Sequence, residues 1–315
     1  VWCREAARAR SRAVNTARTI EQVSPAIAIA SCRQLPVGDA EDQLLIAALA
    51  ELGLTATVQN WSDSRIDWAS FDATVIRSTW DYTVRRAEFL AWAAAVPRLH
   101  NPAAVLHDNS DKRYLARLAA AGIPIVPTDF FAPGEPVRLP AGTEFVVKPS
   151  VGAGSMGAGR FPADAQRAAH EHAEMLHSLG RTVMVQPYLA GVDTAGETAL
   201  IFLDGRFSHA ICKTALLAPD ARHRPDTEQL YLDETITPRR PSDPERELAE
   251  RAYEQLATEH GPLLYARIDL LPSPDGPLLL EAELIEPSLF LAHADGAADR
   301  LAGAIADRIV ARPCR

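Results

Sequence analysis

Two sets of residues in this chain of 315 have the types and the spacing to do chemistry. The first is Arg267 and Asp269 in the leucine-rich run 263–271, followed after the turn SPDG by Glu281 and Glu283 in the run 278–284. Side chains alternate between the two faces of a strand, so Arg267 shares a face with Asp269, and Glu281 shares one with Glu283. Three carboxylates beside an arginine, set in otherwise apolar strands, cannot all be buried without cations. Hard oxygen donors with room for water and phosphate oxygens suit Mg²⁺, with Glu281 central enough to bridge two ions and Mn²⁺ a workable substitute. The competing reading is an outward acidic face compensated by Arg267.

The second set lies in residues 144–160, EFVVKPSVGAGSMGAGR. An apolar run ends in Lys148-Pro149, and Gly152, Gly154, Ser155 and Gly157 follow. Without Cβ atoms the loop's N–H groups can approach an oligophosphate closely, while the ammonium neutralises its charge. The spacing of Gly152, Gly154 and Gly157 also fits the dinucleotide fingerprint, but that motif needs a helix opening at its third glycine. The residues after Gly157 read instead as a returning strand, and helical periodicity resumes only after Pro162. A strand–glycine loop–strand flap over a nucleotide is the expectation, against a flexible surface hairpin with an exposed lysine at its base.

The chain has three lysines, Lys112, Lys148 and Lys213, against 29 arginines (32 basic residues less three). Arginine evidently serves for ordinary solvation, which marks each lysine as a candidate for a dedicated task. Lys112 follows Ser110-Asp111, read as the cap of the helix DKRYLARLAAAG, where a cation opposes the helix dipole unless an anion binds beside it. The helix that follows Pro162 carries His170, Glu174 and His177 on one face, which invites a metal reading, although such faces are usually just solvated.

The elements that must position these groups are legible from periodicity. Residues 26–30, 55–59 and 71–76 read as strands and 40–52 as a helix stopped by Gly53, the start of a parallel α/β unit. The third strand runs into Arg77-Ser-Thr-Trp80-Asp81-Tyr82, at the carboxyl end where such sheets bind ligands. Arg77 there either clamps a carboxylate or pairs with Asp81. Residues 183–186 form a strand breaking at Pro187-Tyr188-Leu189, a hinge that offers backbone groups to an adenine edge. Residues 197–203 and 207–213 form a hairpin turned at Asp204-Gly205. The proline-rich stretch 216–244 reads as a long loop or lid, and 245–260 as a helix.

Composition narrows the partners. The net charge of −9 argues against a broad nucleic-acid or anionic-membrane surface. No apolar run approaches the length of a membrane span. Four scattered cysteines without a C-x-x-C pair read as free thiols in the cytoplasm. Residues 1–24 read as a loosely ordered arginine-rich leader. A homodimer stays open.

Taken together and in order, Lys112, Lys148-Pro149 before the glycine hairpin, Gln186-Pro187-Tyr188, Glu197, Arg267-Ile-Asp269 and Glu281-Ala-Glu283 resemble the ATP-grasp superfamily. The resemblance implies an α/β and α+β fold: an N-terminal doubly wound domain (25–108), a small lid (109–190) and a C-terminal α+β part (191–315), with ATP gripped between the last two. It implies a ligase that activates a carboxylate as an acylphosphate for attack by an amine. By position, Lys112, Lys148 and the loop Gly152, Gly154, Ser155 and Gly157 would hold phosphates, Gln186, Pro187, Tyr188 and Leu189 the adenine, and Glu197 the ribose. Lys213 would assist ATP, Arg267 would stabilise the transferring group, and Asp269, Glu281 and Glu283 would bind Mg²⁺. Many members have asparagine where Glu283 stands, so this site is more negative. The R-S-T-W-D-Y loop and the E-P-S-L-F-L stretch (286–291) resemble a bacterial subgroup that includes the D-cycloserine-forming cyclo-ligase. That likeness implies a small carboxylate or ureido amino-acid substrate near Arg77, Trp80, Tyr82 and Ser288. The alternatives are a catalytically silent nucleotide-binding protein and a Rossmann oxidoreductase.

Overall fold

The computed structural model describes residues 24–215, 217, 222 and 235–311. The expected leader, apart from its last residue, and most of the long loop expected at 216–244 lie outside the described residues.

The chain opens with β1 (Ala26–Ser31), α1 (Ala40–Glu51), β2 (Thr55–Asn60), β3 (Ala73–Ile76), α2 (Arg86–Ala95) and β4 (Leu99–His100). The four strands are parallel in the order β2-β1-β3-β4. The two central strands, β1 and β3, are covered on both faces, which is why they are short apolar runs without alternation. Helix α1 begins in a reciprocal capping box between Asp39 and Asp42. Next come α3 (Ala103–Asn109) and α4 (Tyr114–Ala120). Contrary to expectation, Ser110-Asp111-Lys112 does not cap one helix. Residues 110–113 form a turn between two helices, with the Arg113 N–H donating to Asp111 Oδ1 at 3.1 Å. Lys112 therefore stands before the helix rather than in its first turn.

A second, antiparallel sheet contains β5 (Asp129–Phe131), β6 (Phe145–Pro149), β7 (Gly159–Phe161) and, after α5 (Gln166–Ser178), β8 (Val183–Pro187), in the order β5-β8-β6-β7. The glycine loop leaves β6 and returns as its antiparallel neighbour β7, so no helix opens at Gly157 and the dinucleotide reading fails. On α5, His170 Nδ1 meets the Gln166 carbonyl at 2.8 Å and His177 Nε2 meets the Phe131 carbonyl at 3.2 Å. With those contacts the histidine face gathers no metal cluster among the described residues.

The third sheet follows α6 (Val192–Ala195) and contains β9 (Glu197–Leu203), β10 (Arg206–Lys213), β11 (Ile236–Pro238) and, after α7 (Asp243–His260), β12 (Tyr265–Leu271) and β13 (Leu278–Glu283). Its order is β11-β10-β9-β12-β13, antiparallel throughout. The β9–β10 turn uses Asp204 and Gly205 with φ of 46° and 81°, the positive pair a tight hairpin requires. Helix α8 (Ala297–Val310) closes the described chain.

Alternate residues of the third sheet enter different cores. Ile201 and Tyr265 pack with Leu45 and Leu49 of α1 and Leu301 and Ile305 of α8. Leu200, Phe202 and Ile268 face the opposite way, toward Leu248 and Leu256 of α7 and toward Leu106 and Leu115 of α3 and α4. A smaller core of Phe145, Phe161, Leu176 and Val183 belongs to the second sheet. The β12–β13 strand pair is thereby clamped between apolar layers, and only its polar residues are left to shape a cleft.

Candidate active site

Strand register assembles the floor of the cleft. In the β12–β13 ladder Arg267 pairs with Glu283 and Asp269 with Glu281, so the two polar pairs expected from alternation merge into one patch. One carboxylate oxygen from each of Asp269, Glu281 and Glu283 lies within 4.8 Å of the others. Arg267 bridges this patch: its Nη2 is 2.8 Å from Asp269 Oδ2 and 2.6 Å from Glu283 Oε1, and its Nη1 donates to the Ser288 carbonyl at 3.2 Å. On the neighbouring β9–β10 pair, Lys213 lies opposite Glu197. The Lys213 ammonium contacts both Glu197 and Asp269, the latter at 2.9 Å.

The second sheet supplies the roof. Lys112 Nζ donates to the Gly152 carbonyl at 2.7 Å and stands 3.3 Å from Glu281 Oε2. The Lys112 N–H is bound by the Ser150 carbonyl at 2.8 Å. The Lys148 side chain makes no hydrogen bond or ion pair among the described residues; it lies between two pockets and lines both. One is polar and contains Lys112, Gly152, Gly154, Ser155 and Glu281. The other is mostly apolar, walled by Val126, Val146, Leu189 and Leu280 together with Gln186, Pro187, Tyr188 and Glu197. The Gln186 amide is tethered to Thr128 Oγ1 at 2.9 Å, leaving the hinge backbone beside the apolar walls.

The electrostatics follow from burying these charges together. Burial raises the Asp269 carboxyl, but Arg267 and Lys213 more than offset it and hold the group well below the usual carboxylate range. Burial likewise opposes ionisation of Glu281, and Lys112 and Lys148 bring it down to about 2. Glu283 goes the other way, to about 7, because burial and its two acidic neighbours outweigh Arg267. Lys148 is lowered, chiefly by burial and then by the nearby lysines, against the pull of Glu281. The cleft holds strongly paired acids and a lysine, Lys148, whose ammonium forms no ion pair among the described residues, a combination that favours an anionic ligand with bound cations.

The residues expected to meet a substrate divide. Arg77 is buried and committed: its guanidinium lies 3.2 Å from Glu41 Oε2 and 3.4 Å from Asp42 Oδ1, and donates to the Pro287 carbonyl at 2.8 Å. Its partner is not Asp81, which instead accepts from Trp61 Nε1 at 2.7 Å. Trp80 Nε1 donates to the Glu286 carbonyl at 3.1 Å. Arg77 and Trp80 therefore moor the 286–291 stretch rather than reach into the cleft through their polar atoms. Tyr82 does line a pocket, with Ser110, Glu283 and Glu286. Ser288 contributes its carbonyl to Arg267. Two functional candidates escaped the sequence reading. Glu41 accepts from the Leu289 and Leu291 N–H groups at 2.9 and 2.7 Å, and Glu286 is a buried acid in an apolar run. An acid isolated in LIEPSLFLA was the available signal for the second.

The profile of the D-cycloserine synthetase DcsG N-terminal domain matches residues 27–101. The cycloserine biosynthesis protein DcsG of Streptomyces lavendulae is 38% identical over 282 residues, spanning 84% of this chain and 92% of that protein. The crystal structure of D-cycloserine synthetase DcsG superposes with a TM-score of 0.81 at 37% identity, over 90% of this chain and 99% of that one. At the level of fold alone, D-alanine–D-alanine ligase from Bacillus anthracis, in complex with ATP, superposes with a TM-score of 0.63 at 15% identity, over 91% and 98% of the two chains. The three sheets, the glycine-loop roof over an acidic floor and the likeness along most of the chain lead to one assignment: the chain belongs to the DcsG family of ATP-grasp, ATP-dependent ligases.

Proposed function

We propose that this ligase phosphorylates the carboxylate of a small amino-acid-like molecule and that a nitrogen of the same molecule then displaces phosphate in a ring closure. The observation that carries the reading is the meeting of all three lysines, Lys112, Lys148 and Lys213, with Asp269, Glu281 and Glu283 in one cleft. Similarity to DcsG, named for cycloserine biosynthesis, supports the ring-closing form, and the ureido amino acid is the substrate class we propose for it.

Lys112, Lys148 and the N–H groups of the loop Gly152–Gly157 hold the ATP phosphates, Gln186 to Leu189 the adenine, and Glu197 the ribose. Asp269, Glu281 and Glu283 form a compact set of hard oxygen donors that fits Mg²⁺. Bound there, Mg²⁺ supplies charge neutralisation at the phosphates. A carboxylate oxygen attacks the γ-phosphorus in line, the bridging P–O bond breaks, and ADP leaves with its electron pair. The nitrogen then forms the new C–N bond and loses a proton as the C–O bond to phosphate breaks. Arg267, aimed at the acidic patch, stabilises the transferring phosphoryl group, and Lys213 keeps Asp269 ionised. The glycine loop excludes water from the acylphosphate. The cytoplasm, with its ATP and Mg²⁺, is the compartment we propose.

An ADP-release screen of purified protein against amino acids, ureido amino acids and dipeptides tests this reading. ADP released with O-ureidoserine, in step with a cyclised product, supports it. ADP released only with a separate amine added contradicts the ring-closing form.

A further inference from the structure

Between the acid patch and the α2–α4 side of the molecule lies a pocket lined by Tyr82, Asn109, Ser110, Lys112, Glu283 and Glu286, among others. Nearly every polar group around it is already satisfied by the protein. The Asn109 amide donates to the Ala282 carbonyl and accepts from the Leu284 N–H, both at 2.9 Å. Ser110 Oγ donates to the His107 carbonyl at 3.2 Å and accepts from Arg86 Nε at 2.8 Å. Lys112 is held by Gly152 and Glu281, and Glu283 by Arg267. The exception is Glu286. It is 6% exposed, and among the described residues it has no ion-pair partner. The neighbour facing its carboxylate is the hydroxyl of Tyr82, itself 4% exposed. A carboxylate offers about four acceptor sites; this buried one has the Tyr82 hydroxyl and its own backbone N–H as donors, while the Lys112 and Arg267 charges act on it without forming an ion pair, so acceptor capacity is left over.

The backbone around Glu286 is not free to turn it away. Trp80 Nε1 holds the Glu286 carbonyl at 3.1 Å, Arg77 holds the Pro287 carbonyl at 2.8 Å, and the Tyr265 hydroxyl donates to the Ile285 carbonyl at 2.8 Å. Three side chains from elsewhere in the fold thus fix a lone acid at the edge of a pocket that also contains Glu281 and Glu283.

We propose that Glu286, with the Tyr82 hydroxyl, is the recognition site for a cationic primary amine of the substrate. An ammonium brings three donors and the missing charge to this carboxylate. Its carbon skeleton then extends along the pocket toward Glu281 and Glu283, where phosphoryl transfer takes place. The inference rests on the ligase reading above, since it places the amine on the molecule being activated.

The test is calorimetric, with the protein loaded with Mg²⁺ and a non-hydrolysable ATP analogue. O-Ureidoserine and its N-acetyl derivative, which keeps the ureido group but loses the ammonium, are titrated into wild type, Glu286→Gln and Tyr82→Phe. Wild type should prefer the ammonium form on the order of 10- to 100-fold, the weight of charge-assisted hydrogen bonds. Glu286→Gln should erase the preference by weakening only the ammonium ligand, Tyr82→Phe should reduce it, and analogue affinity should stay unchanged in both. A preference that survives in Glu286→Gln, or one absent from wild type, overturns the inference. So does a shift in the Mg²⁺ requirement for analogue binding, which would make Glu286 a metal ligand. ADP release from O-ureidoserine by wild type reports separately on the ligase reading, so either can fail while the other stands.

Discussion

Lys112 Nζ lies 3.3 Å from Glu281 Oε2, so the roof and the floor of the cleft are tied by an ion pair. The same ammonium holds the Gly152 carbonyl at 2.7 Å, which couples the glycine loop to the acid patch. Phosphate groups and cations arriving in the cleft compete for both halves of that pair, so binding and the position of the loop are linked through one contact.

Glu281→Ala should abolish ADP release, by on the order of 100-fold or more, because it removes the central member of the carboxylate set. It also strips the counter-charge from Lys112 and from Lys148, whose charges hold Glu281 ionised. A coupled ADP assay with and without EDTA measures this. Full activity in EDTA, or unchanged turnover in the variant, contradicts the metal assignment.

Lys148→Met should weaken ATP binding by about 1.5–3 kcal/mol, the worth of a charge-assisted contact. The melting temperature of the free protein should hold or rise, because the Lys148 side chain has no hydrogen bond or ion pair to lose among the described residues and burial, acting more strongly than the pull of Glu281, disfavours its charge. Calorimetry and thermal denaturation of the same preparation separate the two effects. A fall in stability with ATP affinity intact contradicts a phosphate-binding role.

Arg77→Met should act through the fold. Removing the guanidinium strands Glu41 and Asp42, both in contact with it, and breaking a buried pair from one side costs about 3–5 kcal/mol. Denaturant titration should show that loss. A variant as stable as wild type with only a raised KM for the acceptor would return Arg77 to the role of substrate clamp.

These outcomes separate what was legible in the sequence from what was not. The shared face of Arg267, Asp269, Glu281 and Glu283 follows from period-two alternation across a short turn, and the strand register realises it. The strand–loop–strand form of the glycine hairpin was legible because Pro162 postpones the helix. The pairing of Arg77 with Asp81 does not hold, for the partners of Arg77 sit on α1, some 35 residues upstream, and no local pattern links the two. Asp81, the local candidate, is drawn off by the Trp61 indole. Glu286 escaped because β13 ends at Glu283, and beyond it no strand period assigns a face. Lys112 was placed one turn too far into a helix because the α3–α4 break depends on Asp111 bonding to Arg113.

The glycine loop should loosen in mild acid. His172, buried on α5, meets the Gly157 carbonyl at 2.9 Å, which requires a proton on Nε2. Burial, then the nearby Arg222 charge, lowers its pKa from the ordinary 6.5 despite the carbonyl. A depressed folded pKa means the unfolded chain takes the proton more readily. The stability contribution is therefore present above 6.5 and is lost as pH falls through the lower, folded value. Thermal melts between pH 7.5 and 5 should show a steeper loss in wild type than in His172→Asn. Parallel slopes contradict the assignment.

The central claim is that phosphoryl transfer goes to a carboxylate of the substrate, and isotope transfer tests it most directly. O-Ureidoserine labelled with ¹⁸O in both carboxylate oxygens is turned over with unlabelled ATP and Mg²⁺, and the released phosphate is examined by mass spectrometry. Passage through an acylphosphate predicts one ¹⁸O atom in each phosphate, because the oxygen that attacked the γ-phosphorus leaves with it. Phosphate released without label during product formation would contradict the account.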